Sequence, residues 1–156
     1  MFTLKLFTVL GCGLVAGVFF AFSTFVMSAL ARLQPRDGIV AMQSINITAI
    51  NPLFMVALFG TGAACLGWVI ASLFNWQQPH AAYLLAGSLL YLVGTIVVTI
   101  AFNVPLNNAL AAVKPDSPEA ANLWAKYLTH WTLWNHVRTI TALAAATLLT
   151  IALKFR

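Results

Sequence analysis

A chain of 156 residues in which 62% are hydrophobic and only 7% charged cannot make the solvated surface of a soluble domain, where about 25% of residues carry charge. Its net charge of +5 comes from eight Lys and Arg scattered near the ends of apolar runs, with no cluster beyond Arg32 and Arg36. That scatter excludes a nucleic-acid footprint and fits anchoring at lipid headgroups.

The first apolar run predicts a spanning helix over 4–33. Lys5, the run itself and Ser28-Ala29-Leu30-Ala31 imitate a secretory signal, but the uncharged stretch from Leu6 to Ala31 far exceeds a signal core of about 7–15 residues. It is therefore expected to stay and to span. Gly13 and Gly17 stand at the spacing that lets helix backbones approach, which ordinary packing or a homo-oligomer would use. Cys12 and Cys65 lie inside apolar runs and read as small hydrophobes.

Gln34-Pro35-Arg36-Asp37-Gly38 ends the first helix. Ile39, Met42, Ile45 and Ala49 then recur at helical spacing among polar residues, predicting a short interfacial helix over 39–50. Asn51-Pro52 breaks it. No Asp, Glu, Lys or Arg occurs from Gly38 to Val113. Within that stretch, spanning helices are expected over 53–74 and 81–103, joined by a tight turn at Asn75–His80. Asn103 to Asn108, with Pro105 among them, interrupts the third helix. Lys114 to Glu119 is the clearest loop, with Ser117 as N-cap and Pro118 at the first helical position. An interfacial helix over 118–130 leads into a spanning helix over 131–153, and the two are read as able to run on as one. The fold class is thus all-α: a four-transmembrane-helix bundle, one domain over 1–156, with short interfacial helices in the two long connections.

An even number of spans places both long connections on one face. Ser23 and Thr24, Asn46 and Asn51, Asn103 and Asn107, and Asn135 with Arg138 all fall toward it. Polar groups at membrane depth are costly unless they satisfy one another or do something. Trp124, Leu128, Trp131, Asn135 and Arg138 follow at steps of four, three, four and three, one stripe on a helix. Trp134, four residues before Arg138, is placed to stack on it. An aromatic belt with a snorkelling arginine would explain the stripe. The asparagines on other helices favour a pocket instead, rimmed by indoles with an anion-stabilising arginine at its floor. Asn103 and Asn107 either face into that pocket or cap a kink made by Pro105.

No metal site is expected. His80 lies at the opposite face, His130 and His136 point in different directions, and no Cys or carboxylate joins them at ligand spacing. Asp37, Asp116 and Glu119 all sit in loops, which argues against an intramembrane proton relay.

Several segments together are similar to one family. They are Gly17-Val18-Phe19-Phe20-Ala21-Phe22-Ser23, Ala41-Met42-Gln43 with Asn46, Asn51-Pro52-Leu53-Phe54-Met55, Phe102-Asn103-Val104-Pro105-Leu106-Asn107, and Trp131 to Asn135 with Arg138. The chain resembles the anthrone oxygenase-like membrane family over nearly its whole length. The resemblance implies a small membrane protein, in a bacterial inner membrane, that oxidises anthrones to anthraquinones with molecular oxygen and no cofactor. The expected reaction is a cofactor-independent oxygenation of an apolar anthrone-, phenol- or quinone-like substrate taken from the bilayer. Arg138 with Asn103, Asn107 or Asn135 would hold the oxyanion, and Trp124, Trp131 and Trp134 would offer flat faces. Asn46, Asn51 and Ser23 would complete the binding surface, and His136 is the one base near this face. The expected partners are membrane lipid and a small apolar aromatic ligand. The alternative is a non-enzymatic membrane protein that binds a lipid, quinone or partner helix. Orientation is left open, because Lys5, Lys154 and Arg156 face Arg32, Arg36, Lys114 and Lys126 across the bilayer without a clear excess.

Overall fold

The computed structural model describes residues 2–155, and the regular elements among them are all helical. In chain order they are α1 (Phe2–Leu30), α2 (Pro35–Thr48), α3 (Pro52–Phe74), α4 (Ala81–Ala112) and α5 (Ala120–Ala152). Helices α1, α3 and α4 are long and apolar enough to cross a membrane. Helix α5 is 33 residues long. It is not in that class, because Asn135, His136 and Arg138 interrupt its apolar run. Phe7, Leu14, Phe25, Val56, Leu66, Leu73, Val93 and Ile140 are all exposed, an exterior suited to lipid rather than water.

Local chemistry moves several boundaries from their expected places. Helix α1 stops at Leu30, and α2 starts at Pro35, four residues before the expected 39. Proline at the first turn loses no hydrogen bond, and Asp37 faces the helix dipole there. Asn51-Pro52 does separate two helices as expected, and it starts the second, since the Asn51 Oδ1 accepts from the Phe54 N–H at 3.0 Å. Helix α4 is not interrupted at 103–108 but continues to Ala112. Two π-helical turns, Leu92–Val97 and Thr99–Asn103, precede Pro105 and loosen the ladder where proline cannot donate. Helix α5 runs unbroken from Ala120, with no separate interfacial piece. Ser117 does not cap it with its side chain: its carbonyl accepts from the Ala120 N–H at 3.1 Å, and its Oγ is buried without a partner.

Helix α5 packs along α1 and α4, and α3 packs against α4 and α1. Tyr83 at the start of α4 stacks on Phe155, with ring centroids 5.8 Å apart. His80 lies near Lys5, and burial together with that charge holds its imidazole below the usual histidine range. The 75–80 turn and both ends of the chain therefore gather at one end of the bundle. The core has two apolar layers. Cys12, Val15, Cys65, Trp68, Leu84, Tyr91 and Leu149 fill the layer toward the chain ends. Met27, Ile39, Met42, Leu110, Trp124 and Tyr127 fill the other. Asn103, Asn135, Arg138 and Thr139 are buried between them.

Close approach of α4 to α5 is tightest at Gly94, with Gly87 a second, looser contact against Ala145, Leu148 and Leu149. A Cβ at Gly94 would overlap the Thr141 side chain. Gly94→Ala should therefore destabilise the bundle by about 1–3 kcal/mol, the usual range for overpacking. Thermal unfolding in detergent reads this, and adding Thr141→Gly, which moves the gap across the interface, should recover part of the loss.

Candidate functional site

Trp131, Asn135, Arg138, Ala142 and Ala145 form the buried stripe of α5, at the three- and four-residue steps that keep a helix face turned inward. Arg138 is only 4% exposed. Its Nη2 donates to the Asn135 Oδ1 at 2.8 Å and its Nη1 to the Thr99 Oγ1 at 3.2 Å. The Cζ lies 4.1 Å from the centre of the Phe19 ring and 5.1 Å from that of Trp131. Such π faces offset about 2 kcal/mol or more of a desolvated cation's cost. Among the described residues no carboxylate lies within ion-pair distance of Arg138. The ion pair there, Arg36 with Asp116 at 2.8 Å, is at the exposed surface.

Two asparagines organise the rest. Asn135 donates to the Phe19 carbonyl and to the Ser23 Oγ, both at 2.8 Å, tying α1 to α5 behind the guanidinium. Ser23 also pairs with Thr139 at 3.1 Å. The Asn107 Oδ1 accepts from the Tyr127 hydroxyl and from the Trp131 Nε1, each at 2.8 Å. Asn46 donates to the Tyr127 oxygen across a longer 3.4 Å.

Several of these groups border a cavity of about 900 Å³, at the upper end of small-molecule sites, and Asn135, Ser23, Thr139 and Tyr127 stand behind them. Phe19, Phe22, Met42, Phe54 and Leu58 give it apolar walls, and Arg138, Thr99, Asn107 and Asn46 give it polar ones. Ile47, Ile50 and Asn51 line it from exposed positions at the rim. Helices α1, α3 and α4 all reach it through π-helical turns, at Phe22–Val26, Val56–Gly60 and Thr99–Asn103. Turns of this kind recur at functional sites.

A family model described as anthrone oxygenase matches residues 52–148. The chain belongs to the anthrone oxygenase family. No curated protein and no solved structure matches it. In this anthrone oxygenase family member the matched stretch supplies Asn107, Trp131, Asn135 and Arg138, whereas Phe19, Ser23, Met42 and Asn46 precede it.

Of the residues singled out by spacing, Arg138, Asn107, Asn46, Asn51 and Trp131 line the cavity, and Asn51 also caps α3. The others do not line it. Asn135 and Ser23 sit behind it. Asn103 is buried and donates to the Trp131 carbonyl at 3.2 Å. Trp124 packs against Gly38 and stacks on Tyr127 at 5.6 Å. Trp134 does not stack on Arg138; it lies on Phe102 at 3.7 Å, because Asn135 and Thr99 draw the guanidinium inward onto Trp131 instead. His136 is exposed on the outer face, one residue and about 100° past Asn135, so it cannot act as the base in the cavity. Spacing also missed Tyr127, Thr99 and Phe19. Tyr127 is four residues before Trp131 and readable as its same-face neighbour, whereas Thr99 opens a π turn that helical counting does not foresee. Phe19 gives no such signal.

Asn135→Leu should leave Arg138, Ser23 and the Phe19 carbonyl short of partners. An expected loss of about 1–3 kcal/mol follows from unpairing buried polar groups. It should appear as a lower unfolding midpoint than that of Ser23→Ala, which takes a partner from Asn135 and Thr139 but leaves Arg138 paired.

Proposed function

We propose that the protein is an integral membrane bundle of four spanning helices, sited in a bacterial inner membrane, that oxidises a flat, apolar aromatic substrate with molecular oxygen. One observation carries this reading: Arg138 borders a cavity of about 900 Å³, buried and with no carboxylate within ion-pair distance among the described residues. A cation held that way favours an anionic oxygen on a ligand. Support for α5 as the fourth span comes from its polar stripe turning inward while Leu133, Ile140 and Leu143 face out.

The chemistry follows from what Arg138 would stabilise. An anthrone-type substrate loses a proton from its central CH₂ carbon, and the charge spreads through the rings onto oxygen beside Arg138. The carbanion passes one electron to O₂, and the two radicals join through a C–O bond. The resulting hydroperoxide loses its remaining C–H proton as the O–O bond breaks, releasing water. Substrate plus O₂ thus gives quinone plus water, a four-electron oxidation matched by four-electron reduction of O₂. No bound cofactor enters this route. Among the described residues no His, Asp or Glu lines the cavity, and the first proton would leave to water at the rim. A second reading, a binding protein for a lipid, quinone or partner helix, is favoured by the mutual bonding of Asn135, Ser23 and Thr139 as a closed structural set. The absorption spectrum and lipid extract of the purified protein separate the two, a bound aromatic molecule favouring the enzyme.

Arg138→Gln should lower binding or turnover of an anthrone by about tenfold or more, equivalent to about 1.4 kcal/mol, while the unfolding midpoint holds. Arg138→Lys should do nearly as badly, since it keeps charge but loses the planar fork lying on Phe19. Survival of activity in the Gln variant, or its unfolding, would return the arginine to a structural role. For the four-span topology, single cysteines at positions 2, 78 and 155 should all be labelled from the same side of the membrane.

A further inference from the structure

Three asparagines lie close to Arg138 or Trp131, but their hydrogen bonds leave them unequal. Asn135 donates to Phe19 and Ser23 and accepts from Arg138, and it is fully buried. Asn103 donates its amide nitrogen to the Trp131 carbonyl and is 1% exposed, with its Oδ1 buried and unpartnered among the described residues. Asn107 alone of the three borders the cavity.

The direction of the Asn107 amide is fixed by its neighbours. An indole nitrogen can only donate, so the Asn107 atom 2.8 Å from the Trp131 Nε1 must be oxygen. The Tyr127 hydroxyl donates to the same oxygen at 2.8 Å. Both lone pairs of the Oδ1 are then engaged, and the opposite end of the amide is its NH₂. Among the described residues, that Nδ2 has no hydrogen-bond partner in the protein. Arg138 uses two of its five N–H groups on Asn135 and Thr99. Trp131 links the two sites, with Asn107 at its nitrogen edge and Arg138 over its face.

We propose that Asn107 is a specificity-determining residue whose Nδ2 donates into the cavity, so that a ligand's anionic oxygen is gripped by two residues, Arg138 and Asn107. Trp131 and Tyr127 act from behind by holding the amide oxygen away from the ligand. The inference rests on the reading of Arg138 as the anion site, and it selects Asn107 over Asn103 and Asn135 as the second donor. An amide free to turn would present oxygen to the anion as readily as nitrogen. The double lock removes that choice.

Asn107→Asp separates this role from a structural one. The carboxylate still accepts from Trp131 and Tyr127, so those two bonds survive, but the NH₂ is replaced by a second oxygen. The probe is anthraquinone-2-sulfonate, flat and permanently anionic, titrated against the full-length protein in detergent. Binding to the unaltered protein should vary little between pH 5 and 8. In Asn107→Asp it should be at least tenfold weaker at pH 8 and recover toward pH 5, as the new carboxyl takes up a proton and becomes a donor again. Equal binding at pH 8 would overturn the proposal, as would weak binding with no recovery. Arg138→Gln is the control: if it binds the probe normally, the anion site itself is wrong, whereas loss there with retention in Asn107→Asp sinks only the present inference. If Asn107→Asp does not accumulate, ¹⁵N-asparagine labelling decides. The side-chain NH₂ signal absent from Asn107→Leu must then shift on probe addition to the unaltered protein, and an unmoved signal overturns the proposal.

Discussion

A buried guanidinium with no carboxylate within ion-pair distance among the described residues sets the terms for everything around it. Taking a cation out of water is costly, and near a bilayer centre an arginine costs about 2.5–3.5 kcal/mol on insertion scales. Here the compensation is spread across three helices. Phe19 of α1 offers its ring face, Thr99 of α4 an oxygen, and Asn135 of α5 an amide dipole. Each gives only part of what a carboxylate would give. Arg138 thus borders the cavity on hydrogen bonds and ring faces, with no carboxylate beside it among the described residues. A fully paired arginine would leave little charge for the anionic ligand proposed above.

The surrounding fold can be seen as the means of keeping that arrangement still. Asn135 ties α1 to α5, and Gln43 ties α2 to α4 by donating to the carbonyls of Leu110 and Val113 at 2.8 and 3.2 Å. Helix α2 is thereby held as a wall, with Ile39 and Met42 fully buried beneath it. The matched family segment covers α3, α4 and most of α5, which carry the arginine and its amide neighbours. The earlier helices add Phe19, Phe22, Met42 and Asn46.

What sequence reasoning reached, and what it did not, follows from the range of each signal. Long charge-free runs and the stripe through Trp131, Asn135 and Arg138 are local and periodic, so they are legible. Helix α4 beyond Asn103 was not, because the asparagine and proline run carries every mark of a break, while its continuation depends on π turns that no periodicity announces. Those turns also slip the helical register, so which residues face inward cannot be counted across them. Asparagines share one chemistry but took different roles here. Asn51 caps a helix, Asn135 ties two helices and Asn107 borders a cavity, according to whether a free N–H, the Phe19 carbonyl or the Trp131 indole lies opposite. That information sits on other helices. Trp134 stands at helical spacing from Arg138 yet lies on Phe102, a partner on another helix, and one residue's rotation past Asn135 turns His136 outward.

Trp131 has a consequence of another kind. Its indole lies against the guanidinium, donates to Asn107 and forms part of the cavity wall. A conjugated tricycle seated beside it would absorb where indoles emit. The site therefore carries its own optical reporter, and occupancy would register as quenched emission from this residue without any label being attached.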